Sequence, residues 1–84
     1  MPDGAARFLP TAVEARAGFK ADETPLSFEY EGRRLAVEEI VDRWYQAGRD
    51  PTLASASYFK VRAADGWRYV LRRDNETQRW FVMR

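Results

Sequence analysis

The sequence predicts a mainly β fold, a small antiparallel sheet of about five strands that curls toward a barrel. Three observations predict it. Apolar and polar residues alternate from residue 25 onward, glycines and aspartates separate the alternating runs, and the stretch WRYVLRRDNETQRWFVMR at 67–84 has the form of a hairpin. At 84 residues the chain has room for one domain with one core.

Residues 1–24 are predicted to be a mostly disordered N-terminal tail, and 25–84 the β domain. The tail is rich in alanine, contains proline and glycine, and lacks a sustained apolar period. Thr11 with Glu14 matches a helix capping box, and Gly18 is a candidate helix end. So short a helix is not stable without docking.

The first two strands are predicted to form a hairpin. Apolar residues at every second position begin it, at Leu26, Phe28 and Tyr30. A two-residue turn at 31–32 places Phe28 opposite Leu35 and a glutamate at 29 opposite an arginine at 34. One apolar pair and one ion pair across the strands are typical of a half-buried hairpin.

Residues 37–47 fit either a helix or a strand. Apolar residues stand at helical spacing, acidic residues fill the first turn, and Gly48 lies where a helix C-cap is expected. Alternatively, the second strand continues to Trp44 through a bulge near Glu38 and Glu39.

The turn around Gly66 sets the register of the next two strands. A two-residue turn at 65–66 would mix apolar and charged residues on both faces of the sheet. A three-residue connection, 64–66, with Gly66 in the left-handed bulge position, separates them. The core face then carries Phe59, Val61, Ala63, Trp67, Tyr69 and Leu71.

A four-residue loop at 74–77 extends this register to the last strand. It places Trp80 beside Leu71 on the core face, and Arg79 beside Arg72 on the opposite face. The opposite face then presents five cations and one ring, which are the predicted binding residues: Lys60, Arg62, Arg68, Arg72, Arg79 and Phe81.

Charge is distributed unevenly along the chain. Residues 1–57 carry seven basic and ten acidic side chains, whereas 58–84 carry seven basic and three acidic ones. Arginines facing one another across strands repel, so the pairs Arg62–Arg68 and Arg72–Arg79 need neutralisation. Either the acidic segment at 38–42 covers this face and buries Phe81, or an external polyanion or acidic protein segment does so.

The composition argues against an enzyme. The chain has no cysteine and no histidine, which removes the usual nucleophile and base pairs and the usual zinc ligands. Asp65 and Asp74 are interpreted as turn residues rather than catalytic acids. We expect no metal, no cofactor and no membrane span, and a cytoplasmic location. The three tryptophans are interpreted mainly as core residues, with Trp67 the most exposed.

The motifs resemble those of a known family. They are L-x-F-x-x-x-G-R-x-x-x-V-x-x-I-x-D-R-W from Leu26, Y-F-x-V-R-x-x-D-G-x-x-Y-x-L from Tyr58, Arg73-Asp74 and Trp80-Phe81. This pattern resembles a small bacterial domain of unknown function, found alone or appended to the C-terminus of relatives of Y-family, translesion-type DNA polymerases. The resemblance covers residues 25–84, implies no catalytic residues, and favours a nucleic-acid connection.

Together these observations predict a five-stranded sheet or barrel of the SH3 or OB type, with one helix at about 37–47 as an optional element. The expected function is a non-enzymatic binding module that contacts single-stranded or flexible nucleic acid through the basic face. The alternative is a protein-interaction adaptor that binds an acidic segment. The expected state is a monomer or weak dimer.

Overall fold

The computed structural model describes residues 8–17, 23–47 and 55–84. These residues form one strongly curled antiparallel sheet, a half-barrel, and the described part of the chain contains no helix. Its strands are β1 (Leu9–Thr11), β2 (Val13–Ala17), β3 (Glu23–Tyr30), β4 (Arg33–Gln46), β5 (Ala56–Ala63), β6 (Arg68–Asp74) and β7 (Trp80–Met83). The strand order is β1-β7-β6-β5-β4-β3-β2.

The curl of the sheet is visible in its two edge strands. β1 pairs with β7 and β2 pairs with β3, so they lie at opposite ends of the strand order, yet only Ala12 separates them in the chain. At this junction the Thr11 hydroxyl donates to the Glu29 carbonyl (2.6 Å) and accepts from the Glu29 N–H (3.0 Å). A side chain therefore supplies the hydrogen bonds where the backbone turns from one edge to the other.

The prediction of about five strands was too low. Residues 9–17, assigned to the tail, form β1 and β2, and no helix begins at the Thr11–Glu14 capping box. Val13 and Ala15 pack against the core, whereas their neighbours Glu14 and Arg16 are exposed. This alternation was weak in the sequence because alanine adds little apolar area. Of the remaining tail residues, Phe8 precedes β1, 23–24 begin β3, and 1–7 and 18–22 lie outside the described residues.

The β3–β4 hairpin is as predicted. Glu31 (φ 51°) and Gly32 (φ 78°) form its two-residue turn, and positive φ at both positions matches the twist of a tight hairpin. Phe28 pairs with Leu35 in the core. Arg34 lies 3.4 Å from the Glu29 carboxylate across the strands, so the predicted ion pair is confirmed.

The start of β3 differs from the predicted alternation. Leu26 is 44% exposed, and the fully buried residue is Pro25. The pairing with β2 runs from Ser27 directly to Pro25, which leaves Leu26 as a bulged residue. A bulge moves the following residues to the other face, so Pro25 occupies the core position that alternation assigned to Leu26.

Residues 37–46 belong to a strand, so of the two alternatives for this segment the helix at 37–47 is wrong, and the strand that continues through a bulge near Glu38 and Glu39 is confirmed. β4 continues along β5 as far as Gln46, with register shifts between Val37 and Glu39 and between Ile40 and Asp42. Each shift adds one residue to the two-residue period of a strand. Apolar residues three apart, Val37 and Ile40, therefore reach the core from a strand although their spacing imitates a helix.

The β5–β6 turn confirms the three-residue connection at 64–66. Arg62 pairs with Arg68, Val61 with Tyr69, and Gly66 has a φ of 86°. The Gly66 N–H donates to the Ala63 carbonyl (2.8 Å), which closes the turn. Glycine is favoured here because a left-handed backbone brings Cβ close to the neighbouring carbonyl in other residues.

The β6–β7 loop lies one residue later than predicted. Asp74, predicted as the first loop residue, instead pairs with Arg79, and the four loop residues are 75–78, with Gln78 in the left-handed region (φ 63°). Arg72 consequently pairs with Phe81 rather than with Arg79. Moving the loop by one residue shifts the pairing between β6 and β7 by two residues. Each side chain therefore keeps its predicted face but has a different neighbour across the strands.

The core lies on the concave side of the curled sheet. It contains Phe28, Leu35, Phe59, Val61, Ala63, Tyr69, Leu71, Trp80 and Val82. The Tyr69 ring lies 5.0 Å from the rings of both Phe28 and Tyr30, in edge-to-face contacts that favour aromatic packing. Because these residues come from β3 to β7, the core fixes the strands that carry the opposite surface.

Candidate nucleic-acid interface

The outer face, which we define as the side of β4–β7 turned away from the core, carries all six predicted binding residues. Backbone pairing arranges the face in rows, read from β4 toward β7: Glu39, Arg62 and Arg68; Asp42, Lys60, Val70 and Met83; Trp44, Tyr58, Arg72 and Phe81; Asp74 and Arg79. Basic side chains dominate the rows on β5 to β7, and the acidic ones are mainly on β4.

The row containing Arg62 and Arg68 includes one of the two like-charge pairs predicted from the sequence. Its neutralisation comes from β4, where Glu39 Oε1 lies 2.9 Å from Arg62 Nη1. Both side chains are about half exposed, and exposed ion pairs of this kind contribute between zero and about 1 kcal/mol. The contact orients Arg62 and leaves Arg68 as the free cation of the row among the described residues.

Phe81 lies between two guanidinium groups. The Arg72 Cζ is 5.5 Å from the centre of the Phe81 ring and the Arg79 Cζ is 6.0 Å from it. The expected direct opposition of Arg72 and Arg79 is absent because of the two-residue register shift, and both guanidinium groups lie near the Phe81 ring. Attraction between each cation and the ring replaces the predicted repulsion.

Trp44 and Tyr58 form a parallel aromatic pair at the β4 side of the outer face. Their ring planes differ by 1° and their centres lie 5.2 Å apart. Phe8, which precedes β1, contacts the same tyrosine at 6.1 Å. Sequence reasoning treated Trp44 mainly as a core residue, because its position depends on the two bulges in β4. It is 43% exposed.

The acidic residues of β4 lie beside the basic rows and do not cover them. Phe81 is therefore not buried under Ile40 or Trp44, and within the described residues the outer face has one ion pair closer than 4.0 Å, between Glu39 and Arg62. Asp42 pairs with Lys60 through the backbone, but its carboxylate accepts the Arg43 N–H (2.8 Å). Four outer-face cations have no carboxylate within 4.0 Å among the described residues: Lys60, Arg68, Arg72 and Arg79.

The tryptophans do not form an aromatic cage. Trp80 is in the core at 9% exposure, and Trp67 lies beyond the Arg62 row at the far end of β6. The prediction that Trp67 is exposed is confirmed at 56%, and the Arg84 Cζ lies 3.8 Å from its ring centre.

Asp65 is a turn residue, as the sequence predicted. Its carboxylate accepts the Trp67 N–H (3.0 Å) and the Tyr69 hydroxyl (2.7 Å), and Arg33 lies 3.7 Å away. Desolvation acts to raise the pKa of Asp65, but these hydrogen bonds and the charges of Arg33 and Arg84 outweigh it and lower the pKa. Burial and the hydrogen bond to Asp65 raise the pKa of Tyr69 to about 12.

Asp74 has the same role in the β6–β7 loop. Its Oδ1 accepts the N–H groups of Glu76 (2.9 Å) and Thr77 (3.0 Å), and the hydrogen bond from Thr77 is the main cause of its lowered pKa. Arg73 braces the loop by donating to the Asn75 amide oxygen (2.9 Å). The carboxylates considered as catalytic candidates are thus engaged in turn structure.

Within 8–17, 23–47 and 55–84, no group of three acidic, histidine or cysteine side chains is placed to hold a metal ion. The described part of the chain also contains no helix of the length and hydropathy that crossing a membrane requires. Comparisons with protein-family models, curated proteins and solved structures found no significant match. The family resemblance therefore stays a prediction.

Proposed function

We propose that this protein is a non-enzymatic binding module that contacts single-stranded or flexible nucleic acid through its outer face. The observation that supports this most directly is the group of four outer-face cations with no carboxylate within 4.0 Å among the described residues, Lys60, Arg68, Arg72 and Arg79. Three adjacent strands present them, so their backbone positions are fixed by the sheet.

Arginine suits a phosphate ligand because its planar guanidinium donates two parallel hydrogen bonds to phosphate oxygens. Adjacent strands are about 4.8 Å apart, so cations on β5, β6 and β7 form a short basic patch rather than one isolated charge. Binding to such a patch releases counterions from the nucleic acid, and its affinity must depend on salt concentration.

The first test is a titration of a fluorescently labelled single-stranded oligonucleotide at several salt concentrations. Four phosphate contacts predict a slope of about −3 in a plot of log affinity against log salt, because each contact on a single strand contributes about −0.7. Absence of binding at low salt would remove the proposal.

A charge-matched pair of variants locates the site. Arg72→Ala with Arg79→Ala removes two outer-face cations, and we expect the salt slope to fall by about 1.4. Arg16→Ala with Arg34→Ala removes the same charge from β2 and the start of β4, which pair with β3 and not with β5 to β7. Equal loss of affinity in both double variants would mean that net charge, and not this surface, determines binding.

An acidic protein segment is the alternative ligand, because the same cations attract carboxylates. Competition by an acidic peptide of equal charge distinguishes the two. If the peptide displaces the oligonucleotide at equal concentration, the surface recognises negative charge alone, and the nucleic-acid proposal fails.

A further inference from the structure

We propose, resting on the function above, that Trp44 stacks on an unpaired base at the β4 edge of the outer face. One face of its indole lies against Tyr58, with planes 1° apart, and the side chain is 43% exposed. Among the described residues, no other ring and no guanidinium contacts it. The indole therefore keeps a face for a further planar group.

Trp44 lies in the part of β4 beyond the residues that pair with β3, which leaves room for that group. Beyond residue 36, β4 pairs with β5 on one side, and the described residues contribute no strand on the other side. The Arg43 N–H, next to the tryptophan, is bonded to the Asp42 carboxylate instead of a neighbouring strand. A ligand can thus approach Trp44 from the open side of the sheet.

The other aromatic residues near the cations are already engaged. Phe81 has guanidinium groups 5.5 and 6.0 Å from its ring centre, and the Trp67 ring has the Arg84 guanidinium at 3.8 Å. Tyr58 contacts both Trp44 and Phe8. Phe81 is the one ring among the binding residues predicted from the sequence, but these contacts assign the stacking role to Trp44.

The surrounding charges favour a base attached to a phosphate backbone. Tyr58 and Arg72 continue the row of Trp44, and Lys60 lies on the same face of β5, so within the described part of the chain cations with no carboxylate within 4.0 Å begin on the strand next to the indole. A duplex hides the faces of its bases in the stack, whereas single strands expose them to aromatic side chains. The inferred ligand is accordingly a single strand with at least one unstacked base.

The test compares two oligonucleotides of equal length and charge, one of thymidines and one in which every base is removed. We expect wild-type protein to bind the thymidine strand between about 5-fold and 100-fold more tightly, the range for stacking of one base. Trp44→Leu should lower affinity for the thymidine strand to that for the abasic strand. Trp44→Phe should retain part of the difference, and Trp67→Leu should leave it unchanged.

The outcomes separate this inference from the proposed function. Equal wild-type affinity for both strands would overturn stacking while leaving phosphate binding by the arginines in place. No affinity for either strand would overturn both. If Trp44→Leu lowers the affinity for the abasic strand as much as the affinity for the thymidine strand, the residue has a structural role and the inference fails. The comparison of the two strands with wild-type protein tests stacking even if the leucine variant does not fold.

Discussion

The two faces of β5 and β6 are built from alternate residues of the same short sequences, and their environments differ sharply. On the core side, Val61 and Leu71 are fully buried. On the outer side, their neighbours Lys60 and Arg62 are exposed to solvent. The two-residue period of a strand thus separates the residues that hold the fold from those available to a ligand. Substitutions on one face should change stability, and substitutions on the other should change binding.

The largest expected effect is on the core face, at Leu71. Leu71→Ala removes a fully buried side chain, and we expect it to lower the free energy of unfolding by about 2–5 kcal/mol, measured by chemical denaturation. The matched control is Val70→Ala, one residue away on the outer face, with an expected loss below about 1 kcal/mol. Similar losses of unfolding free energy at both positions would show that the two faces do not differ in their contribution to stability.

The second effect concerns the turn that sets the two faces. Gly66→Ala leaves room for the new methyl group, since among the described residues no atom outside Gly66 and its two chain neighbours lies within 4 Å of the point where the Cβ would stand, so the cost comes from the backbone at φ 86°. We expect a loss of about 1–2 kcal/mol in the free energy of unfolding. Asparagine tolerates the left-handed region better, and Gly66→Asn should lose less. If alanine and asparagine cost the same, backbone strain is not the reason.

The third effect is a dependence of stability on pH at the Asp65–Tyr69 contact. The pKa of Tyr69 is raised from 10.0 to about 12, so its contribution is full below pH 10 and is lost as pH rises through 12. The pKa of Asp65 is lowered from 3.8, so its contribution is present above pH 3.8 and is lost as pH falls through the lowered value.

The check is denaturation of wild type and Tyr69→Phe at intervals between pH 3 and 12. Phenylalanine keeps the ring in the core but removes the hydroxyl. We expect the difference in stability between the two proteins to be largest near neutral pH and to shrink above pH 10. A difference that stays constant up to pH 12 would contradict the raised pKa.

The smallest effect on stability is expected on the outer face. Arg79→Ala removes an exposed cation, and we expect the free energy of unfolding to change by no more than about 0.5 kcal/mol. The same change should reduce the salt slope of oligonucleotide binding by about 0.7. Arg16→Ala is the control, for which neither quantity should change. A large loss of stability in Arg79→Ala would show that its contact with Phe81 supports the fold.

The turns that could be predicted from the sequence have glycine where the backbone is left-handed. Gly32 and Gly66 fixed two hairpin registers, because their positive φ is the reason glycine stands there. In the β6–β7 loop the left-handed residue is Gln78, which gives no such signal, and the predicted register was two residues off. An even shift keeps every side chain on its face, so the residues of β5 to β7 that were predicted for the outer face all lie on it.

The elements that could not be predicted depend on bulges or on distant strands. Val37 and Ile40 are three residues apart, and only the pairing of β4 with β5 shows that a bulge, not a helical turn, lies between them. The placement of Trp44 on the outer face follows from the same pairing. β1 and β2 have little apolar character of their own and are held by strands remote in sequence.

The pairing of Leu9 with Val82 has a consequence for how the protein acquires its structure in the cell. At ribosomal rates of about 5–20 residues per second, roughly 4–15 seconds pass between the synthesis of these two residues. During that interval β1 lacks its partner, whereas the β3–β4 and β5–β6 hairpins need only neighbouring residues. Assembly should therefore begin with the local hairpins, and the edge formed by β1 and β7 should be the last part of the molecule to be completed.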